Sequence, residues 1–143
     1  MGSYVISEIY SDGYERFAMI EDVEKNIKVN VHFLEYDEYL ESGEKSQKKK
    51  KGDTLDGDIS IQLVTFSRKA DKALIHRQKI QKSPHIEAII EVEQIIDEYS
   101  IYALSTISDR DILIEFENAV SYKVGERVLV IGSLELSETS KGR

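Results

Sequence analysis

The strongest constraint on this chain is the alternation of Ile27, Val29, Val31 and Phe33 with Lys28, Asn30 and His32. Side chains along a strand point to opposite faces with a period of two, so this stretch is a half-buried strand with one apolar side. Ile112, Ile114 and Phe116 repeat the pattern. Residues 4–10, 16–20, 59–66, 86–96, 100–107 and 127–136 are further runs rich in β-branched and aromatic residues. Turn signals lie between them: Asp12-Gly13, Asp56-Gly57 and the polar Ser108-Asp109-Arg110-Asp111. Helix signal is scarce. Residues 70–81 place Ala70, Ala73, Leu74 and Ile80 on one side, with Arg77, Lys79 and then Lys82 around the rest, which predicts one short basic helix. Residues 35–41 fit one or two helical turns. The expected fold is mostly β, and short alternating strands remove their edges most readily by closing into a small β-barrel.

The chain has 143 residues and a net charge of −8. That length suits one compact domain or two very small ones, and it buries roughly two-thirds of the unfolded surface. Charge is unevenly spread. Residues 1–44 carry −8, residues 45–85 carry +7 and residues 86–143 carry −7. Three regions follow: a β-rich acidic half over 1–66 with a lysine-rich loop inserted at 41–52, a basic connecting segment over 67–85, expected helical, and a second β half over 86–143. Pro84, the one proline, follows Ser83 and disfavours helix just before the next strand.

The halves match each other weakly. Residues 16–19 align with 101–104, and Ile27, Val29 and Val31 with Ile112, Ile114 and Phe116, both at an offset of 85. Gly52-Asp53-Thr54-Leu55 aligns with Gly125-Glu126-Arg127-Val128 at an offset of 73. The difference is close to the length of the lysine-bearing loop, so the expectation is two tandem or fused half-repeats.

The second half resembles an OB-fold domain of the anticodon-binding and nucleic-acid-binding type. The resemblance rests on the order of strands over 86–136: a long first strand (86–92), a second (99–104), a third alternating through Ile112, Ile114 and Phe116, and a fourth opened by Gly125-Glu126 and bent at Gly132. Residues 3–66 would be a degenerate second copy. The resemblance implies small OB-like barrels and, in the family, single-strand binding on a positive groove with stacking aromatics. Here the polar side of the third strand carries Asp111, Glu115 and Glu117 around Leu113, the opposite charge.

No constellation for catalysis is present in the sequence. There is no GxxxxGK[ST], GxGxxG or HExxH, and no serine sits in a nucleophile elbow. With no cysteine, disulfides, thiolate metal sites and a thiol nucleophile are ruled out together, and a reducing compartment is favoured. Asp53, Asp56 and Asp58 around Gly57 lack the calcium-loop spacing, and a turn explains them. No cofactor or metal is implied. No window holds the apolar run a membrane helix needs, and no signal peptide is visible, so the expected location is the cytoplasm.

Three features bear on binding. Glu35-Tyr36-Asp37-Glu38-Tyr39-Leu40-Glu41 sets two tyrosines among acids, and Tyr36, Asp37, Glu38, Tyr39 and Glu41 form a candidate surface for a basic protein. Lys48, Lys49, Lys50 and Lys51 form a basic run. Arg68, Lys69, Lys72, Arg77, Lys79 and Lys82 form a second basic cluster, suited either to phosphate or to docking on the chain's own acidic halves. The reading that follows is a non-enzymatic acidic protein that binds a basic protein, such as an immunity or inhibitor protein covering a toxin. One alternative is an OB-fold binder of single-stranded nucleic acid using the two lysine/arginine groups. Another is a structural homo-oligomer subunit.

Overall fold

The computed structural model describes residues 2–10, 15–34 and 49–138. Among these residues nine strands are present: β1 (Gly2–Ile9), β2 (Glu15–Asp22), β3 (Ile27–Leu34), β4 (Thr54–Lys69), β5 (Ile75–Arg77), β6 (His85–Asp97), β7 (Ser100–Leu104), β8 (Ile112–Phe116) and β9 (Arg127–Glu138). The alternating runs fold as expected. In β3, Val29, Val31 and Phe33 are buried and Lys28 is exposed; in β8, Ile112, Ile114 and Phe116 are buried.

All nine strands belong to one sheet. Two long strands organise it. β4 and β9 pair antiparallel from Gly57↔Glu138 to Lys69↔Val128. The other edge of β4 pairs first with β1 and then, in parallel, with β8. The other edge of β9 pairs first with β6 and then, in parallel, with β3. Two closed circuits result, β1-β2-β3-β9-β4 and β6-β7-β8-β4-β9, each containing both long strands. A single apolar cluster runs through both, with Ile6, Ile20, Phe33, Ile61, Ile86, Ile114 and Leu134 fully buried.

The strand registers relate the circuits by a pseudo-two-fold. β1 bulges at Ser7, and β6 bulges at Glu93, 86 positions later. The pair Ala18↔Val31 corresponds to Ile101↔Ile114, 83 positions later on both strands. Tyr4↔Leu55 corresponds to Ile90↔Val128. The turns that open β4 and β9 match bond for bond. Gly52 donates to the Ile6 carbonyl at 2.8 Å, as Gly125 does to Val92 at 2.8 Å. The Ile6 and Val92 amides donate back to the Asp53 and Glu126 carbonyls, both at 2.9 Å. The Asp53 carboxylate accepts from the Lys50 amide at 2.9 Å, and the Glu126 carboxylate from the Lys123 amide at 2.7 Å. Gly52 and Gly125 have φ of 93° and 90°, the left-handed conformation that such a turn requires and glycine alone adopts without strain.

Two expectations are overturned. The short basic helix over 70–81 is absent, and no helix occurs among the described residues. Ile75, His76 and Arg77 instead pair with Ile89, Ala88 and Glu87 as an edge strand of β6. An isolated helix of that length is marginal in water, so sheet pairing wins. The Asp56-Gly57 turn is also absent. Both residues lie inside β4, where Gly57 allows β9 to approach.

His76 supplies a pH-dependent tie. Its Nδ1 lies 2.7 Å from Thr106 Oγ1, joining β5 to the β7–β8 connection. Burial holds its pKa below the ordinary 6.5. The folded state therefore favours neutral imidazole, and its contribution is full above 6.5 and lost as pH falls through the depressed value. Thermal unfolding followed at falling pH is expected to show a drop in midpoint below neutrality that is smaller in His76→Gln.

Candidate functional site

A cavity of about 530 Å³ lies where β1 and β8 part company along the edge of β4. Its floor is the outer face of β4, β7 and β8: Ser60 and Gln62, Tyr102, and Leu113 with Glu115. Leu113 is the register partner of both Tyr102 and Ser60, so these three form one row across the sheet. The β7–β8 connection supplies one wall through Ser108, Arg110 and Asp111, and Tyr4 and Gly2 of β1 close the other side. A second cavity of about 380 Å³ shares Gly2, Tyr4, Ser108 and Arg110 with the first and continues past Glu21, Asp22 and Glu24. Together they make one trough.

The trough is negative. Asp58, Asp111 and Glu115 line its first part, and Glu21, Asp22, Glu24 and Asp109 its second. Among the described residues the lining cations are Arg110 and Lys25, and Lys25 is held by Asp109 at 3.0 Å. Tyr4 senses this field: burial first, then the charges of Asp22, Asp58 and Asp109, raises its phenol pKa above 10. Neutralising Asp58 as Asp58→Asn is expected to lower the Tyr4 pKa, measured as the difference in alkaline absorbance titration between this variant with and without Tyr4→Phe.

The residues singled out from sequence are placed as follows. Tyr36, Asp37, Glu38, Tyr39, Glu41 and Lys48 lie outside the described residues. Lys49 approaches Glu138 at 3.7 Å, and its carbonyl accepts from buried Arg16 at 3.0 Å. Lys50 forms the turn into β4, and Lys51 is exposed. Lys69 is bound by Glu126 at 2.8 Å and Lys79 by Glu87 at 2.9 Å. These bonds raise the Lys69 pKa and lower those of Glu126 and Glu87. Lys82 Nζ stands 5.7 Å from the centre of the Tyr10 ring. Arg68 and Arg77 share the outer face of the β5-β6-β9-β4 sheet, in the rows Ile75-Ile89-Leu129-Arg68 and Arg77-Glu87-Ile131-Phe66.

The two basic groups are not brought together. Lys50 and Lys51 lie at the start of β4 and Arg68 and Lys69 at its far end, whereas Lys82 lies over Tyr10 just after β1. The connecting segment does dock on the first half. Gln78 accepts from the Asn30 amide and donates to the Asn30 carbonyl, both at 2.8 Å. The Pro84 carbonyl accepts from the Leu134 amide at 2.8 Å. Between them they bridge β3 and β9, which otherwise meet at one register pair, His32↔Glu135, joined at 2.6 Å through the side chains.

Asp58, Tyr102, Arg110 and the bracing Gln78 were not singled out as site residues from sequence. The acidic parity of 111–117 did signal part of the trough. Among the described residues no group of three His, Asp or Glu is arranged to hold a metal ion, and no helix is long and apolar enough to cross a membrane. No protein-family model matches this chain, and no curated protein or solved structure shows significant similarity to it.

Proposed function

We propose that this chain is a non-enzymatic binding protein whose acidic trough receives a basic protein partner, as an immunity or inhibitor protein covers a cationic toxin surface. The carrying observation is the lining of the trough: among the described residues Glu21, Asp22, Glu24, Asp58, Asp109, Asp111 and Glu115 stand with Arg110 and Lys25, and Lys25 is held by Asp109. Complementary charge of this kind accelerates encounter and suppresses wrong partners. The scaffold in this reading is a pair of OB-like barrels. Each five-strand circuit closes through one parallel pair, and the trough lies on the outer face of the second and third strands of the second circuit, where OB domains bind ligands. Its charge opposes phosphate, and two of the six cations in the 68–82 group are bound by the chain's own glutamates, so a polyanion is the poorer occupant.

The test uses labelled deca-lysine at near-physiological salt. Asp58→Asn/Asp111→Asn/Glu115→Gln is expected to lose at least about tenfold in affinity, roughly 1.4 kcal/mol. Asp71→Asn/Glu93→Gln/Glu98→Gln, with the same loss of charge on exposed residues away from the trough, should lose much less. Equal losses would reduce the trough to a share of general surface charge and overturn the reading. Tight, steeply salt-dependent binding of single-stranded RNA would replace it with nucleic-acid recognition.

A further inference from the structure

The pseudo-two-fold makes the two circuits comparable, and at one place they differ. In the second circuit, the row Tyr102-Leu113-Ser60 lines the trough, with Tyr102 38% exposed, Leu113 half-buried and Ser60 buried. The same offsets carry that row onto Met19, Asn30 and Ser133 in the first circuit. There the surface is occupied. Asn30 faces outward yet is only 8% exposed, because Gln78 lies against it with two hydrogen bonds. Pro84 is bonded to Leu134 beside Ser133, and Lys82 stacks its ammonium over Tyr10, whose hydroxyl bonds the Asn30 side chain at 2.8 Å.

The covering segment has a definite chemistry. Residues 78–84 form neither helix nor strand, with a bend and turn over 80–82. They are basic, with Lys79 and Lys82 and no acid. The chain thus covers one lobe with a non-helical segment of its own, seated through Gln78 and Pro84, and leaves the equivalent face of the other lobe open.

We propose that the open face binds an extended basic segment of the partner, laid along the trough as residues 78–84 lie across the first lobe. Three observations select this occupant. The trough is made of two adjoining cavities that share Gly2, Tyr4, Ser108 and Arg110, so a chain laid along it passes through both. Asp111 and Glu115 beside the floor attract cations. Tyr102 and Leu113 offer a flat apolar floor between those charges, on which the stem of a lysine or arginine can lie. The inference rests on the reading of the trough as a docking site and adds the shape of what docks.

The experiment compares two labelled peptides of identical lysine, threonine and alanine composition, one linear and one locked as a helix by a side-chain staple. Both are titrated into the intact protein and into the Asp58→Asn/Asp111→Asn/Glu115→Gln and Tyr102→Ala variants. The expected result is that the linear peptide binds about tenfold or more tightly than the helix and loses that advantage in both variants. If both peptides bind equally and both weaken in the triple variant, the acidic docking site stands and the extended occupant is overturned. If neither responds to the triple variant, the docking site itself fails, and this inference with it. Should the protein instead show concentration-dependent mass in sedimentation that the triple variant abolishes, the occupant is a second copy of this chain, which also overturns the proposal.

Discussion

Replacing Gln78 with alanine is expected to destabilise the protein by about 2–4 kcal/mol, although Gln78 lies in a connecting segment and contributes little to the core. The reason is the pairing left behind. Gln78 presents its carboxamide to the Asn30 backbone as a neighbouring strand would, satisfying both amide and carbonyl at 2.8 Å. Asn30 is nearly buried, so water does not readily replace those bonds. Each unsatisfied buried backbone group costs about 1–3 kcal/mol. Gln78→Glu should be nearly as harmful, because it removes the donor to the Asn30 carbonyl and sets a carboxylate against it. Gln78→Asn, too short to span the gap, should resemble alanine. Urea unfolding of the three variants measures the effect. A loss under about 0.5 kcal/mol for alanine would show that the β3–β9 gap is held by Pro84 and the His32–Glu135 contact alone.

The second large effect is expected at Gly57. A β-carbon there would stand 2.3 Å from the Ser137 carbonyl oxygen and 3.1 Å from the Glu138 α-carbon. Both are backbone atoms, so no side chain can swing aside, and the β4–β9 ladder itself must shift. Overpacking of a filled site typically costs about 1–3 kcal/mol, and Gly57→Ala should lie at or above the top of that range. Gly132→Ala meets the Gln62 carbonyl at 2.5 Å and is expected to behave similarly. Because β4 and β9 belong to both circuits, the strain reaches both at once. Thermal unfolding should therefore remain a single transition at a lower midpoint. Two separate transitions would show that the circuits are mechanically independent.

Much of the fold was legible in the residues. The alternation in β3 and β8 located those strands, and the β-branched runs located β1, β2, β4, β6, β7 and β9. What failed was register. Matching residues 16–19 to 101–104 gave an offset of 85, whereas the pairing of Ala18 with Val31 and Ile101 with Ile114 sets it at 83. The two differ by one pleat, and a period-two pattern is unchanged by a shift of two, so alternation alone cannot decide between them. The offset of 73 at Gly52 and Gly125 was right because it rested on glycines fixed by positive φ. Residues 70–81 misled because spaced alanines and lysines satisfy a helical pattern locally, whereas the edge of β6 and the gap beside Asn30 are properties of the assembled sheet. The trough was hard to see for the same reason. Asp58 is distant in sequence from Arg110 and Glu115, and the parallel pairing of β4 with β8 brings it beside them.

The sharing of β4 and β9 also dictates when this protein can fold. The first circuit is not complete until it receives β9, and the second is not complete without β4. Neither half can bury its apolar face from its own residues. During synthesis, β1 to β4 leave the ribosome first and must wait through some sixty residues of further translation, with half a core exposed, before Arg127–Glu138 arrives to close them. Folding should be a late, single event dominated by distant contacts and correspondingly slow. A chain cut between β4 and β6 should recover its structure only when both fragments are present together.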